Sequence, residues 1–182
     1  ALPVELVTLD DAGIRDDVEE TGATLAENAR LKALTYARQS GLLTLADDSW
    51  LEGDALNGEP GVHSKRYAGD NKRDAERNAF LLNKLRDVLP GKRAARFRCA
   101  IAIATAEGKL WETDGACEGE IAFEPRGTNG FGYDPIFQVA ERGMRMAELP
   151  SAEKNKISHR ARAAAKAQDI LAQLATEGKR QK

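Results

Sequence analysis

Residues 24–49, TLAENARLKALTYARQSGLLTLADDS, hold a helix with both ends marked and the strand that follows it. Thr24 and Glu27 have capping-box spacing: the threonine oxygen accepts from a first-turn amide while the glutamate reaches back to the cap. The helix they open is expected to run to about Ser40, where Gly41 supplies a left-handed stop. Leu42, Leu43, Thr44, Leu45 and Ala46 form a short apolar run that reads as a buried strand ending in Asp47, Asp48 and Ser49. Helix leading directly into strand points to an α/β fold, one sheet with helices packed on it.

Working outward, residues 3–9 are a further strand candidate and residues 10–21 an acidic loop. Residues 53–71 are rich in glycine and contain Pro60, so they read as a long loop of the kind that carries function. A second helix is expected over residues 72–89, with Ala75, Ala79, Leu82 and Leu85 on one face and Pro90-Gly91 as its stop. Phe97, Cys99, Ile101 and Ile103 mark a strand buried on both faces. After a turn at Glu107-Gly108 a further strand is expected over residues 110–117, and residues 120–123 extend the sheet. Residues 125–137 read as a loop of glycines and aromatics. Ser158 is placed to cap a last helix with Ala161, Ala164, Ala165, Gln168, Leu171 and Leu174 along one stripe, and the basic tail 178–182 is expected to fray. No repeat or linker interrupts the chain, so residues 1–182 are read as a single domain.

The composition suits that fold. With 182 residues, 42% of them hydrophobic and 31% charged, the chain has apolar material for a core. A net charge of -2 argues against a nucleic-acid partner, since such domains are usually basic. Cys99 and Cys117 read as reduced core thiols, and no Cys/His cluster has zinc spacing. The apolar runs fall far short of the roughly 18–20 residues a membrane-spanning helix needs, so no membrane partner is expected and a cytoplasmic location follows.

Three stretches carry chemistry. Asp47 and Asp48 are adjacent carboxylates whose repulsion makes a cation attractive, and Mg²⁺ prefers one or two carboxylates plus phosphate oxygens. Glu19, Glu20 and Glu27 lie upstream. Lys154, Asn155, Lys156, Ile157, Ser158, His159 and Arg160 combine a point charge and a planar fork for phosphate with a helix start. Gly127 through Pro135 offer close backbone approach, the aromatic faces of Phe131 and Tyr133 for stacking, and Asp134 as an acceptor. Taken singly, each also reads as something plainer: an acidic turn, a surface charge run, a tight turn pinned by aromatics. His63 reads as an ordinary loop residue. Together the three suggest metal, phosphate and base recognition.

These residues also resemble a family. Glu20-Thr21-Gly22-Ala23-Thr24-Leu25-Ala26-Glu27-Asn28-Ala29 with Lys32-Ala33, Ala46-Asp47-Asp48-Ser49, Leu56 through Val62 with Arg66-Tyr67-Ala68-Gly69, Gly130 through Phe137, and Glu153-Lys154-Asn155 with Ser158-His159-Arg160 are similar, in order and spacing, to the inosine/xanthosine triphosphate pyrophosphatases. The resemblance implies an elongated α/β fold with a mixed sheet and flanking helices, two lobes around a nucleotide cleft, and a homodimer. It implies Mg²⁺-dependent hydrolysis of non-standard purine nucleoside triphosphates (ITP, dITP, XTP) to the monophosphate and pyrophosphate. Asp48 is then the catalytic base and a metal ligand, with Glu19 (or its neighbour Glu20) as the second. Lys32 and Lys154 become phosphate contacts and Ser49 a substrate contact. Phe131, Gly132, Tyr133 and Asp134 become the base-pocket loop, with His159 and Arg160 at its end.

Some positions depart from the family pattern. The usual first strand and Ser/Thr-Gly-Asn loop do not precede Ala1, so the sequence is expected to begin after them. Trp50 stands where glycine is usual, Gly53 where a β-branched residue is usual and Lys65 where a small residue is usual. Trp50 is expected to hinder turnover, and a nucleotide-binding protein without turnover is the competing reading. The Ser158-His159-Arg160 motif argues against a Maf-type pyrophosphatase, and the acidic charge against an RNA-binding module.

Overall fold

A computed structural model describes residues 4–180, with side chains described through residue 177. The chain forms a four-stranded sheet in the order β1 (Thr44–Gly53), β2 (Ala94–Ala104), β3 (Leu110–Ile121), β4 (Phe137–Val139). β3 and β4 are antiparallel, with Gly119, Glu120 and Ile121 opposite Val139, Gln138 and Phe137. Among the described residues four α-helices flank it: α1 (Leu25–Ser40), α2 (Asp74–Lys84), α3 (Ser151–Ile157) and α4 (His159–Arg180). The fold is therefore α/β, as expected. Its contacts divide the chain into two compact units.

The first unit comprises Ala1–Asp48, Cys99–Asp114 and Arg162–Lys182. Here α1 forms as its ends dictate. The Glu27 amide donates to Thr24 Oγ1 at 3.2 Å, the Thr24 amide donates to Glu27 Oε2 at 3.1 Å, and Gly41 (φ 71°) donates to the Ala37 carbonyl at 2.9 Å. Leu25, Asn28, Ala29, Ala33, Tyr36 and Ala37 are its buried face. Cys99, Ile101 and Ile103 of β2 pack with Ala163 and Ala167 of α4 and, at the edge, Trp111, Ile170 and Leu171. Each large side chain so buried stabilises the fold by about 1.5–3 kcal/mol. The buried row of α4 differs from the expected stripe: Ala164, Ala165 and Gln168 are exposed. A run of alanines offers any of three rows to a core, and the larger Ile170 and Leu171 select the row that includes Ala163 and Ala167. Residues 4–9 form no strand. Thr8 and Asp11 instead close a local turn, with Thr8 Oγ1 donating to Asp11 Oδ2 at 2.7 Å, and Val4, Leu6, Val7 and Leu9 stay exposed. Residues 1–3 of that candidate lie outside the described residues.

The second unit comprises Ser49–Arg98 and Gly115–Ala161. Its core gathers Leu51, Leu81, Leu85, Phe97, Ile121, Tyr133, Ile136, Phe137, Val139 and Met146. Within the expected long loop, residues Asp54–Leu56 and Gly61–Arg66 wind into short 3-10 turns. α2 is shorter than expected at both ends, and its buried residues are Asn78 and Leu81 rather than Ala75 and Ala79, because the larger side chain claims the core. α3 was not foreseen and ends at Ser158, whose Oγ accepts from the Ala161 amide at 3.2 Å and so caps α4 as expected. The helix continues through Arg180 instead of fraying at residue 178, and residues 181–182 lie outside the described residues. Residues 110–121 form one uninterrupted strand. β4, three residues long, is too short for any sequence period to mark.

The strand carrying the acidic pair needs correction. β1 starts at Thr44 and runs to Gly53, so Asp47, Asp48 and Ser49 sit inside it and not beyond its carboxyl end. Leu42, Leu43 and Leu45 are each about half exposed (48%, 45% and 46%), and the buried apolar anchor is Leu51. Ladder hydrogen bonds are made by the backbone, so polar side chains do not end a strand.

Candidate functional site

In the first unit the charged groups converge on Asp48. Its side chain is 14% exposed and that of Lys32, on α1, is 15% exposed. Lys32 Nζ lies 2.6 Å from Glu20 Oε1 and 3.6 Å from Asp48 Oδ1. Burial alone pulls the lysine pKa down, but the Glu20 hydrogen bond and the charges of Asp48, Glu20 and Asp47 outweigh it and hold the ammonium above its ordinary range. Asp48 Oδ2 accepts from Asn28 Nδ2 at 3.1 Å, and Asn28 Oδ1 accepts from the Gly22 amide at 2.7 Å. Asp47 faces elsewhere, with Cys99 Sγ 3.7 Å from its Oδ2.

Of the two glutamates considered as the partner of Asp48, both exposed, Glu20 contacts this group through Lys32. The ammonium already stands between two carboxylates, so the donor set attracts a cation, and its hard oxygens suit Mg²⁺. Among the described residues no three His, Cys, Asp or Glu side chains form a metal-binding cluster.

In the second unit a separate group forms around Asp134, buried to 3% exposure. Asp134 Oδ2 pairs with Lys154 Nζ and accepts from the Phe131 amide at 2.9 Å. Gly130 makes room: a β-carbon there would stand 2.0 Å from Asp134 Oδ2, and its φ of +77° suits glycine. The Gly132 amide donates to Asp74 Oδ2 at 2.5 Å, and Asp74 in turn pairs with Arg77, whose Nη1 reaches the Lys65 carbonyl at 2.9 Å. The Lys65 side chain itself is exposed.

These contacts push Phe131 outward to 61% exposure, the ring lying 4.7 Å from Lys154 Nζ and 5.7 Å from the Arg160 guanidinium. Arg160 Nη2 donates to Ser49 Oγ at 3.1 Å. His159 is buried and stacks on Phe97 with ring centroids 4.8 Å apart. Tyr133 turns inward, 4% exposed, and its hydroxyl donates to the Ser64 carbonyl at 2.8 Å. Burial pushes its pKa well above the ordinary tyrosine range. Of the two aromatic faces considered for stacking, Phe131 is the open one and Tyr133 anchors the loop. Trp50 donates from Nε1 to Glu52 Oε1 at 2.6 Å. Alternation along β1 puts both on the face opposite Ser49 and the buried Leu51. The indole thus points away from the Ser49–Arg160 contact, on the strand face that alternation also gives to Asp48.

The structure thus joins Lys32 with Asp48, and Ser49, Phe131, Asp134, Lys154 and Arg160 with one another. Sequence reasoning missed Asn28, Asp74 and Arg77. Asn28 had a visible signal, a polar residue in the helical row of Leu25, Ala29 and Ala33. Asp74 and Arg77 read as an ordinary surface helix start.

An oriented carboxylate in cationic company and an exposed ring under two cations are the features of a nucleotide-handling α/β protein. Comparison with known sequences places it more closely: the Ham1 family profile matches residues 1–170, and the chain belongs to that family. It is 48% identical over 169 residues to the dITP/XTP pyrophosphatase of Bacillus licheniformis, covering 93% of this chain and 86% of that protein. It is 49% identical over 170 residues to the dITP/XTP pyrophosphatase of Geobacter sulfurreducens, covering 93% and 85%. Among solved structures it is similar to a HAM1 protein from Coxiella burnetii, with a TM-score of 0.83 and 45% identity over 98% of this chain and 88% of that one. The Staphylococcus aureus Ham1 protein gives a TM-score of 0.80 and 46% identity over 86% and 80%.

Proposed function

We propose that the chain hydrolyses non-standard purine nucleoside triphosphates, ITP, dITP and XTP, to the monophosphate and pyrophosphate. The observation that carries this is the exposed Phe131 ring with Lys154 and Arg160 over it: an aromatic surface for a base, bordered by donors only. Identity of just under one half to proteins named dITP/XTP pyrophosphatase supports it. Phe131 stacks the purine. Arg160, steadied by Ser49, donates to the 6-oxo group of hypoxanthine or xanthine and meets the adenine amino group donor against donor. Gly132, Tyr133, Asp134 and His159 hold that pocket in shape, and Lys154 and Lys32 neutralise phosphate oxygens.

Asp48 acts as general base. It takes a proton from the water that attacks the α-phosphorus, the bond from that phosphorus to the α–β bridging oxygen breaks, and pyrophosphate leaves with that oxygen. Asp48 with Glu19 or Glu20 would hold Mg²⁺, which when bound neutralises charge on the phosphates and the leaving group. Among the described residues no helix is long and apolar enough to cross a membrane. A homodimer working on the cytoplasmic nucleotide pool is part of the same reading, supported by the family resemblance.

The test is chromatography of products from ITP, XTP and ATP with Mg²⁺. IMP and pyrophosphate from ITP, with ATP turned over far more slowly, is the expected result. Stepwise release of phosphate through IDP refutes the mechanism, and equal turnover of ATP refutes the role of Arg160. ITP binding without pyrophosphate release would establish the binding-only alternative.

A further inference from the structure

Asn28 is a polar side chain buried to 4% on the inner face of α1, where apolar residues are the rule. Both ends of its amide are engaged. Oδ1 accepts from the Gly22 amide at 2.7 Å, and Nδ2 donates to Asp48 Oδ2 at 3.1 Å. A backbone N–H can only donate, so the carbonyl end must face Gly22 and the NH₂ end must face Asp48. The amide orientation therefore follows from chemistry and needs no separate assignment. Gly22 is part of the fitting: a β-carbon there would stand 2.6 Å from Asn28 Oδ1.

We propose that Asn28, set by the Gly22 amide, is a positioning residue that fixes the orientation of the Asp48 carboxylate for the hydrolysis. This rests on the reading of Asp48 as the catalytic group. Asn28 holds Oδ2, which turns Oδ1 toward Lys32, 3.6 Å away. α1 is well placed to hold the amide still, since its start is locked by the Thr24–Glu27 capping box and its end by Gly41. A donor on a rigid helix fixes the carboxylate more firmly than water does. Misplacement of a reacting group by about 1 Å can cost roughly 10²-fold in rate.

The polarity of the contact supplies the test. Asn28→Asp keeps shape and the acceptor for Gly22 but sets an acceptor against Asp48. The expected result for ITP is a kcat lowered at least about tenfold with KM changed less than about twofold, the pattern of a lost transition-state contribution. The double change Asn28→Asp with Asp48→Asn restores a donor–acceptor pair. It should recover the thermal midpoint lost in Asn28→Asp while leaving kcat no lower than in Asp48→Asn alone. Gly22→Ala approaches from the other end, displacing the amide oxygen, and should show the same fall in kcat with KM held. If Asn28→Asp folds poorly, this variant decides. Unchanged kcat in both Asn28→Asp and Gly22→Ala, or losses that add to those of Asp48→Asn, overturns the proposal. If Asp48→Asn itself keeps full turnover, the reading of Asp48 fails and the role of Asn28 falls with it, a result distinct from the failure of Asn28 alone.

Discussion

Asp134→Ala probes how the exposed Phe131 ring is held in place. In the native loop one oxygen, Asp134 Oδ2, takes both the Lys154 ammonium and the Phe131 amide. The carboxylate side chain is 4% exposed and that of Lys154 15%. Removing one partner of a buried pair costs about 3–5 kcal/mol, because the other charge is left without compensation. The lysine retains some access to water, which puts the cost near the lower end, about 3 kcal/mol. For a chain of this size each kcal/mol moves the midpoint by about 2–4 °C, so Tm should fall by about 6–12 °C. Asp134→Asn separates charge from geometry. Its amide oxygen can still accept from both donors, and the bond from the Lys154 ammonium stays charge-assisted, so its loss should be clearly smaller. Thermal unfolding of the three proteins gives the ranking, and KM for ITP should rise in the same order as Lys154 and Phe131 loosen. A midpoint for Asp134→Ala within about 1–2 °C of the parent, as for an ordinary surface change, or an Asn variant as damaged as the Ala variant, refutes the reasoning.

Arg93 is buried and donates to the carbonyls of Ile121 (2.7 Å), Leu85 (2.7 Å) and Ala122 (3.0 Å). Arg93→Ala strands these acceptors at about 1–3 kcal/mol each and should cost at least about 3 kcal/mol in urea unfolding; a loss under about 1 kcal/mol contradicts it. Tyr133→Phe should lose about 0.5–1.5 kcal/mol with the bond to Ser64. The folded pKa of Tyr133 is raised, so its contribution is complete below its ordinary value of 10.0 and is lost as pH rises above it. The parent should therefore lose more stability than Tyr133→Phe between about pH 10 and 11, and parallel curves would exclude this. Trp50→Gly should raise ITP turnover, the indole sharing the strand face of Asp48, while lowering stability by about 1 kcal/mol or more, since strand glycine alone costs roughly 0.5–1 kcal/mol. An unchanged kcat would show that the indole is harmless to the substrate.

Where the chain announces a local geometric need, the sequence was legible. Thr24, Glu27 and Gly41 mark α1 to the residue because capping and left-handed termination each demand particular side chains. β2 was legible because residues 99–104 are buried on both faces and so apolar throughout. The site residues Asp48, Lys32, Ser49, Phe131, Asp134, Lys154 and Arg160 could be named from family order. Their contacts could not, because Lys32 with Glu20 and Gly132 with Asp74 depend on how distant segments meet. The position of Asp47-Asp48 within β1 was hidden for another reason. Hydrophobic runs mark which side chains are buried, whereas a strand persists as long as its backbone is paired. On α2 and α4 alanines misled for a related reason: their small side chains fit on either face, so larger neighbours decide the rotation.

The two side-chain groups share one construction. In each, a buried side-chain oxygen docks on a backbone amide, and a nearby glycine leaves the room. Asn28 Oδ1 takes the N–H of Gly22 itself, and a β-carbon on that glycine would stand 2.6 Å from the oxygen. Asp134 Oδ2 takes the N–H of Phe131, and a β-carbon on the preceding Gly130 would stand 2.0 Å from it. In both cases the docked oxygen determines what the rest of the polar group presents: the Asn28 amide turns its donor to Asp48, and Asp134 draws in Lys154 beside Phe131. A long side chain such as lysine has ample rotamer freedom, and one ion pair in water restrains it little. Anchoring the short partner, asparagine or aspartate, to the main chain removes that freedom where two rotatable bonds suffice. These glycines therefore act on the chemistry through the oxygen they admit, and their demand is steric at Gly22 and both steric and conformational at Gly130, where φ is +77°.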